Sequence, residues 1–260
     1  MLNYEIARNG KENLVMLHGF MENLMIWEEM EQPLSKEFSI IKIDLPGHGL
    51  SKIYGEIHTM EMMADEVKKV TDHLKLKTFH LLGHSMGGYV SLAFAEKFPE
   101  VLKSLTLFFS TFLADDDEKK EQRRKSFRII KEAFPTYVKA GVPNLFSANE
   151  KDILEGKINL AKEIALSTKT DGALAAVKGM IERTDKTAVV EKFDGKILVL
   201  AGKHDNAVNV DKTLKNLPDK TNIKSYVLDC GHNGHWEKPA ICAAIITTEL
   251  LHNLPKKFLF

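Results

Sequence analysis

Residues 81–98 read LLGHSMGGYVSLAFAEKF. An apolar run enters the stretch, a glycine-rich cluster interrupts it, and a helical pattern leaves it. Gly83-His84-Ser85-Met86-Gly87 fits G-x-S-x-G, in which a serine sits on a sharp strand-to-helix turn. The chemistry explains the glycines. On such a turn the residues two before and two after the serine pass close to neighbouring backbone, which leaves no room for a Cβ. The turn lifts the serine Oγ above a sheet and aims a helix N-terminus at it. There the Met86 backbone N–H can receive developing negative charge. Ser85 is therefore the candidate nucleophile.

The flanking sequence supplies the expected context. TFHLLGH before the serine reads as a buried strand, and the segment from about Met86 to Lys97 as a helix. NLVMLHG (residues 13–19), FSIIKIDLPGHG, LKSLTLFFST, KILVLAGKHD and IKSYVLDCGH read as further strands. Between them lie amphipathic stretches. MIWEEMEQPLSKEF carries a proline, so its helix should break near Pro33. TMEMMADEVKKVTDHLKL opens on Thr59 as an N-cap and carries an apolar stripe through Met63, Val67, Val70 and Leu74. KPAICAAIITTELLHNL closes the chain's pattern with a helix. Alternation of this kind predicts a parallel sheet with helices on both faces.

The alternation breaks once. From Ala114 to Lys192 the chain is highly charged and helical in pattern, and DDDEKKEQRRKSFRIIKEAF starts acidic and turns basic, as a helix dipole favours. The expected organisation is a core of residues 1–113 and 193–260 with a helical cap at 114–192. An insert of roughly 75 to 80 residues far exceeds an ordinary loop, and a cover over a site is the common use.

A serine hydroxyl is a weak nucleophile at neutral pH and needs a base. Ten histidines compete. His232, in VLDCGHNGHWEKP, follows Gly231 at a strand end, where a loop can swing back over the sheet's carboxyl edge. His235, three residues on, is the rival; its alternative reading is a polar neighbour at the pocket rim. Asp205, after the strand in LVLAGKHD, is the carboxylate expected to orient the imidazole. Asp194 and Asp229 are weaker, the first preceding its strand and the second lying within one. Asp115, Asp116 and Asp117 read as a solvated helix start. Two backbone donors complete the set: the Phe20 N–H, in the glycine turn of MLHGF, and the Met86 N–H.

Composition excludes several classes. Lys plus Arg and Asp plus Glu both number 36, so the net charge is zero and no field favours nucleic acid. The apolar runs are strand-sized and short of the roughly 18 to 20 residues that span a bilayer. The N-terminal MLNYEIARNGKENLVMLHG has no signal-peptide pattern, and the expected location is cytoplasmic. Cys230 and Cys242 form no disulfide framework and offer no metal-ligand spacing, so neither metal nor cofactor is expected.

HGF, DLPGHGLS, GHSMGG, GKHD and GHNGHWEKP, in this order, resemble the α/β-hydrolase family over nearly the whole chain, and more narrowly its small serine esterases with a helical cap. The resemblance implies a mostly parallel eight-stranded sheet and a cap inserted after the sixth strand. It also implies a Ser85-His232-Asp205 triad with Phe20 and Met86 as oxyanion donors. DLPGHGLS matches a structural turn of the family, so Asp44 and His48 are not expected to react, and His84 is expected to pack beside the nucleophile. A serine argues against dehalogenases and epoxide hydrolases of this fold, which use aspartate there. The expected activity is hydrolysis of a small or medium acyl ester, with a small-molecule ester as substrate and neither nucleic acid nor membrane as partner. Perhydrolase or haloperoxidase, carbon–carbon hydrolase and non-catalytic ligand receptor stand as alternatives.

Overall fold

The strands pair mainly in parallel because each apolar run is followed by a helix long enough to carry the chain back. The computed structural model describes residues 1–251. Its strands are β1 (Tyr4–Arg8), β2 (Glu12–Leu17), β3 (Phe38–Ile43), β4 (Phe79–His84), β5 (Leu102–Phe108), β6 (Lys196–Gly202) and β7 (Ile223–Leu228). The helices are α1 (Glu28–Leu34), α2 (Met60–His73), α3 (Met86–Lys97), α4 (Asp117–Gly141), α5 (Glu155–Ser167), α6 (Thr170–Glu182), α7 (Thr187–Lys192), α8 (Val210–Lys215), α9 (Gly234–Glu237) and α10 (Pro239–Leu251). Short 3₁₀ turns include Val142–Leu145 and Ala148–Glu150. His252 to Leu254, the end of the closing helix expected from sequence, lie outside the described residues.

The seven strands form one sheet in the order β1-β3-β2-β4-β5-β6-β7. Every pair is parallel except β1 with β3. The chain steps outward from β2 to β3, then returns past β2 to β4. With right-handed crossovers, that reversal puts α1 and α2 on opposite faces of the sheet. Accordingly α2 packs on α3 while α1 packs on α10. The reversal makes the carboxyl ends of β2 and β4 a topological switch point, the place where open α/β sheets bind ligands.

Central strand β4 is buried at every residue, as a strand covered on both faces must be. Met63, Val67 and Val70 of α2 are likewise buried, and Thr59 caps the helix by accepting the Met62 N–H (3.1 Å). Pro33 lies in the last turn of α1, which ends at the next residue.

Two expectations are corrected. The sheet has seven described strands rather than eight, because β1 pairs only with β3 and its outer edge is unpaired. The helical segment consequently follows the fifth strand, not the sixth. β1 itself is an addition: its half-exposed, half-polar YEIAR carries little apolar signal.

Between β5 and β6 the chain is helical throughout. Pro135 kinks α4, whose backbone leaves helical values at Ala133 (φ −150°, ψ 55°). Helix α6 lies against the 47–58 loop at backbone distance. A Cβ on Gly172 would stand 2.2 Å from the Gly47 carbonyl oxygen, and one on Gly179 would stand 1.8 Å from that of His58. The His58 N–H donates to the Ala175 carbonyl (3.0 Å) along the same seam. Among the described residues no helix is long and apolar enough to cross a membrane.

Candidate active site

Ser85 joins β4 to α3 with φ 49° and ψ −113°, a conformation that costs a non-glycine residue about 1–3 kcal/mol. The surroundings hold it there. Ser85 N–H donates to the Phe108 carbonyl (3.0 Å), and the Ser85 carbonyl accepts from Gly88 N–H (2.9 Å) and the Ser110 hydroxyl (2.7 Å). The flanking glycines are demanded by close backbone. A Cβ on Gly83 would meet the Gly87 carbonyl oxygen at 2.2 Å, and one on Gly87 would meet those of Leu17 and His18 at 2.5 and 2.6 Å. Those contacts press the start of α3 against the end of β2.

The end of β2 supplies the turn His18-Gly19-Phe20-Met21-Glu22. A Cβ on Gly19 would reach Ser85 Cβ at 3.2 Å, so the turn borders the serine directly. Both sides of Gly19 are clamped by side chains. Its N–H donates to Glu22 Oε2 (2.6 Å) and its carbonyl lies 2.7 Å from His18 Nδ1. His18 Nε2 accepts the Leu45 N–H (2.9 Å), so the His18 hydrogen sits on Nδ1 and donates to that carbonyl. In a trans peptide the N–H points opposite the C=O. Holding the Gly19 carbonyl therefore turns the Phe20 N–H to the other side. Neither the Phe20 nor the Met86 N–H has a backbone or side-chain acceptor among the described residues.

His232 and Asp205 come from the loops after β7 and β6. His232 Nδ1–H donates to Asp205 Oδ2 (2.7 Å), and both side chains are buried. Asp205 Oδ1 accepts the Ala207 and Val208 N–H groups (2.7 and 2.9 Å). Burial raises the Asp205 pKa, but His232 and those two donors outweigh it, and the carboxyl lies below its ordinary range. Burial lowers the His232 pKa, but the Asp205 charge and hydrogen bond overcome this, and the imidazole lies above its ordinary value. With Nδ1–H committed to Asp205, Nε2 is the nitrogen left to accept a proton. No hydrogen bond joins it to Ser85 Oγ here; such contacts often tighten only with substrate bound.

The rival histidine is placed differently from its rim reading. His235 is fully buried, packed among Trp27, His84, Phe108 and Trp236, and neither ring nitrogen has a partner. Burial pushes its pKa well below the ordinary value, so it stays neutral. Asp229 instead pairs with His204 at the surface (2.8 Å), and Asp194 is exposed. Asp116 caps α4 through the Lys119 N–H (3.0 Å), and Asp117 is exposed in its first turn. Asp115 departs from the solvated reading, because it is buried in ion pairs with Arg123 and Arg183. Asp44 accepts from Asn3 Nδ2, Leu24 N–H and Leu50 N–H, so its carboxylate is spent on shaping the turn. Cys230 and Cys242 are buried free thiols, and no metal-binding group of His, Cys, Asp and Glu occurs among the described residues.

Sequence reasoning missed Glu22 and the reach of His84. Glu22 Oε2 lies 2.8 Å from His84 Nδ1, and His84 Nε2 lies 3.1 Å from the His232 carbonyl oxygen. Burial raises the Glu22 pKa, but the His84 charge and hydrogen bond dominate and bring it down to about 2. The one signal was an acid three residues after the glycine of HGF.

The segment after α4 closes on the histidine loop. His232 N–H donates to the Leu145 carbonyl (2.7 Å), and Ser147 N–H donates to Glu237 Oε2 (2.9 Å). The Phe146 and Trp236 rings stack at 5.9 Å. A cleft of about 590 Å³ opens beside Asp205, lined by Tyr89, Thr111, Lys119 and Arg183. It borders the acid rather than the serine, and its mixed charges favour no ligand class.

The family model described as alpha/beta hydrolase fold matches residues 12–148. The chain is 37% identical over 112 residues to a dihydrolipoyllysine-residue acetyltransferase component of an acetoin cleaving system from Pseudomonas putida, covering 43% of this chain and 30% of that protein. It is 28% identical over 254 residues to a putative 2-succinyl-6-hydroxy-2,4-cyclohexadiene-1-carboxylate synthase from Bacillus subtilis, covering 92% and 90%. For seven of the curated relatives the match spans only 22–57% of their own length. Among solved structures, a thermophilic esterase from Thermogutta terrifontis superposes with a TM-score of 0.90 at 29% identity, covering 96% of this chain and 92% of that one.

Proposed function

The chain belongs to the alpha/beta hydrolase fold family, and on that premise we propose that it is a serine hydrolase that cleaves carboxylic esters of small or medium acyl groups. The observation that carries the reading is the strained Ser85 backbone at the β4–α3 junction, beside two unspent backbone N–H groups. Strain of this kind clusters at active sites, where the surrounding structure maintains it. The esterase from Thermogutta terrifontis, with which the chain shares 29% identity over nearly its full length, supports ester as the bond.

In this reading Ser85 Oγ attacks the ester carbonyl carbon while His232 Nε2 takes the hydroxyl proton. Asp205 holds the imidazole with its hydrogen on Nδ1 and stabilises the imidazolium that forms. The carbonyl oxygen, now negative, receives the Phe20 and Met86 N–H groups, and the positive end of α3 adds to them. The tetrahedral carbon collapses, and the alkoxide leaves with the proton from His232. Water then attacks the acyl-enzyme by the same route and returns Ser85. Residues 114–192 serve as a cap, and the contacts of Leu145, Phe146 and Ser147 with the His232 loop support that role.

The test is a p-nitrophenyl ester series of increasing acyl length on wild type and Ser85→Ala. Turnover should vanish in the variant; intact activity overturns the nucleophile. His232→Ala should abolish turnover and His235→Ala should not. The reverse result transfers the base to His235.

A further inference from the structure

Three elements of the proposed site are tied together by a pair of side chains that take no proton in the mechanism. Glu22 Oε2 receives the Gly19 N–H at 2.6 Å and faces His84 Nδ1 at 2.8 Å. His84 Nε2 faces the His232 carbonyl oxygen at 3.1 Å. The path thus runs from the oxyanion turn to the residue before the nucleophile and on to the backbone of the base. His84 is buried at 1% exposure and Glu22 at 8%, so water does not compete for these bonds.

A carboxylate only accepts, so the Nδ1 contact is a hydrogen bond donated by His84 to Glu22. That bond matters because an unpaired buried carboxylate beside Gly19 would repel the negative oxygen that forms next to Phe20. The turn also needs a restraint. Met21 stands at φ 57°, a left-handed backbone costly for a non-glycine residue. Bonding between Gly19 and Glu22 closes the turn around it, through the carboxylate and through Glu22 N–H to the Gly19 carbonyl (3.4 Å).

We propose that Glu22 and His84 are a positioning pair for the reaction: Glu22 fixes the Gly19–Phe20 turn so that the Phe20 N–H meets the transition-state oxyanion, and His84 holds the Glu22 carboxylate in place by a hydrogen bond. The proposal rests on the serine-hydrolase reading above. Its signature is a loss that falls on the transition state and spares ground-state binding.

The experiment compares wild type, Glu22→Gln and Glu22→Ala, with Ser85→Ala as the reference for the reading. The measurements are kcat and KM for p-nitrophenyl acetate and the inhibition constant of an aliphatic trifluoromethyl ketone. The hydrated or serine-bound ketone mimics the tetrahedral oxyanion. Glu22→Gln keeps an oxygen for the Gly19 N–H and the side chain's shape, so it guards against a folding failure, and far-UV circular dichroism checks each variant.

Glu22→Ala should lower kcat by about 10²-fold, the order expected when one oxyanion donor is lost, with KM little changed. Affinity for the ketone should fall in proportion to kcat/KM, and Glu22→Gln should lie between Ala and wild type. Folded Glu22→Ala and Glu22→Gln with wild-type kcat and ketone affinity overturn the positioning role while an inert Ser85→Ala leaves the hydrolase reading standing. So does a loss confined to KM. Turnover surviving in Ser85→Ala instead overturns the underlying reading, and the pair's role falls with it.

Discussion

Asp205→Asn tests the site at the point where geometry makes the firmest demand. In the wild type, Oδ1 accepts two backbone N–H groups and Oδ2 accepts the His232 Nδ1–H. An asparagine keeps its oxygen on the two N–H groups, since its NH₂ cannot accept them. The NH₂ then faces His232 Nδ1. Two donors cannot meet there, so the imidazole must move its hydrogen to Nε2 and present Nδ1 as the acceptor. The nitrogen meant to take the Ser85 proton is now blocked. Loss of the right tautomer costs about 10⁴-fold in kcat, or about 5.5 kcal/mol at roughly 1.4 kcal/mol per decade. Folding should be nearly unaffected, because the loop keeps its two backbone bonds. The pH profile adds a second readout. Wild-type activity requires neutral His232, whose pKa lies above the ordinary 6.5, so kcat/KM should rise with pH to a plateau beyond that value. Without the carboxylate, burial is the main remaining influence, and the residual acid limb should shift below 6.5. The assay is p-nitrophenyl acetate turnover across neutral pH, with thermal unfolding as the control. A kcat/KM within tenfold of wild type, with the limb unmoved, refutes the reasoning.

Acid should destabilise the fold through buried histidines as well as through carboxylates. Buried His48 and His80 have pKa values lowered to about 3 and about 4, by burial first, so the unfolded chain takes up protons that the native one refuses. Stability is therefore full above the unfolded value near 6.5 and falls with pH. At two pH units below that value each such histidine costs about 3 kcal/mol, and a Tm unchanged down to that pH contradicts the burial argument. Gly83→Ala should cost about 3 kcal/mol because its Cβ meets fixed backbone. Gly156→Ala in α5 meets open space and should gain about 0.5 kcal/mol; chemical denaturation of the two separates close approach from propensity. Asp115→Ala leaves Arg183 buried beside a missing partner and should cost about 3–5 kcal/mol, whereas a surface cluster would lose almost nothing.

The parallel strands were legible because strands covered on both faces need continuous apolar runs, as in Leu198–Leu200. The strand-end positions of Ser85 and Asp205 were legible because each follows such a run, whereas His232 follows the half-exposed β7. What escaped depended on distant partners. DDD at 115–117 looks uniform, yet Asp115 is drawn inward by Arg183, 68 residues away, while Asp116 stays at the surface. Glu22 looks like an ordinary loop acid until His84, 62 residues on, is folded against it. His235 carries no sequence mark to distinguish rim from interior, because its burial comes from Trp27 and Phe108 on other elements.

The seam between α6 and the 47–58 loop bears on how this insert can change over evolution or in the laboratory. Backbone touches backbone at Gly172 and Gly179, and no side chain there can yield to a poorer fit. Loop and helix therefore form a matched set although more than a hundred residues separate them. A chimera that imports a foreign insert onto this core should fold only if the recipient's 47–58 loop is exchanged with it. Shuffling breakpoints drawn at the ends of the helical segment alone would cut through a joint with little tolerance.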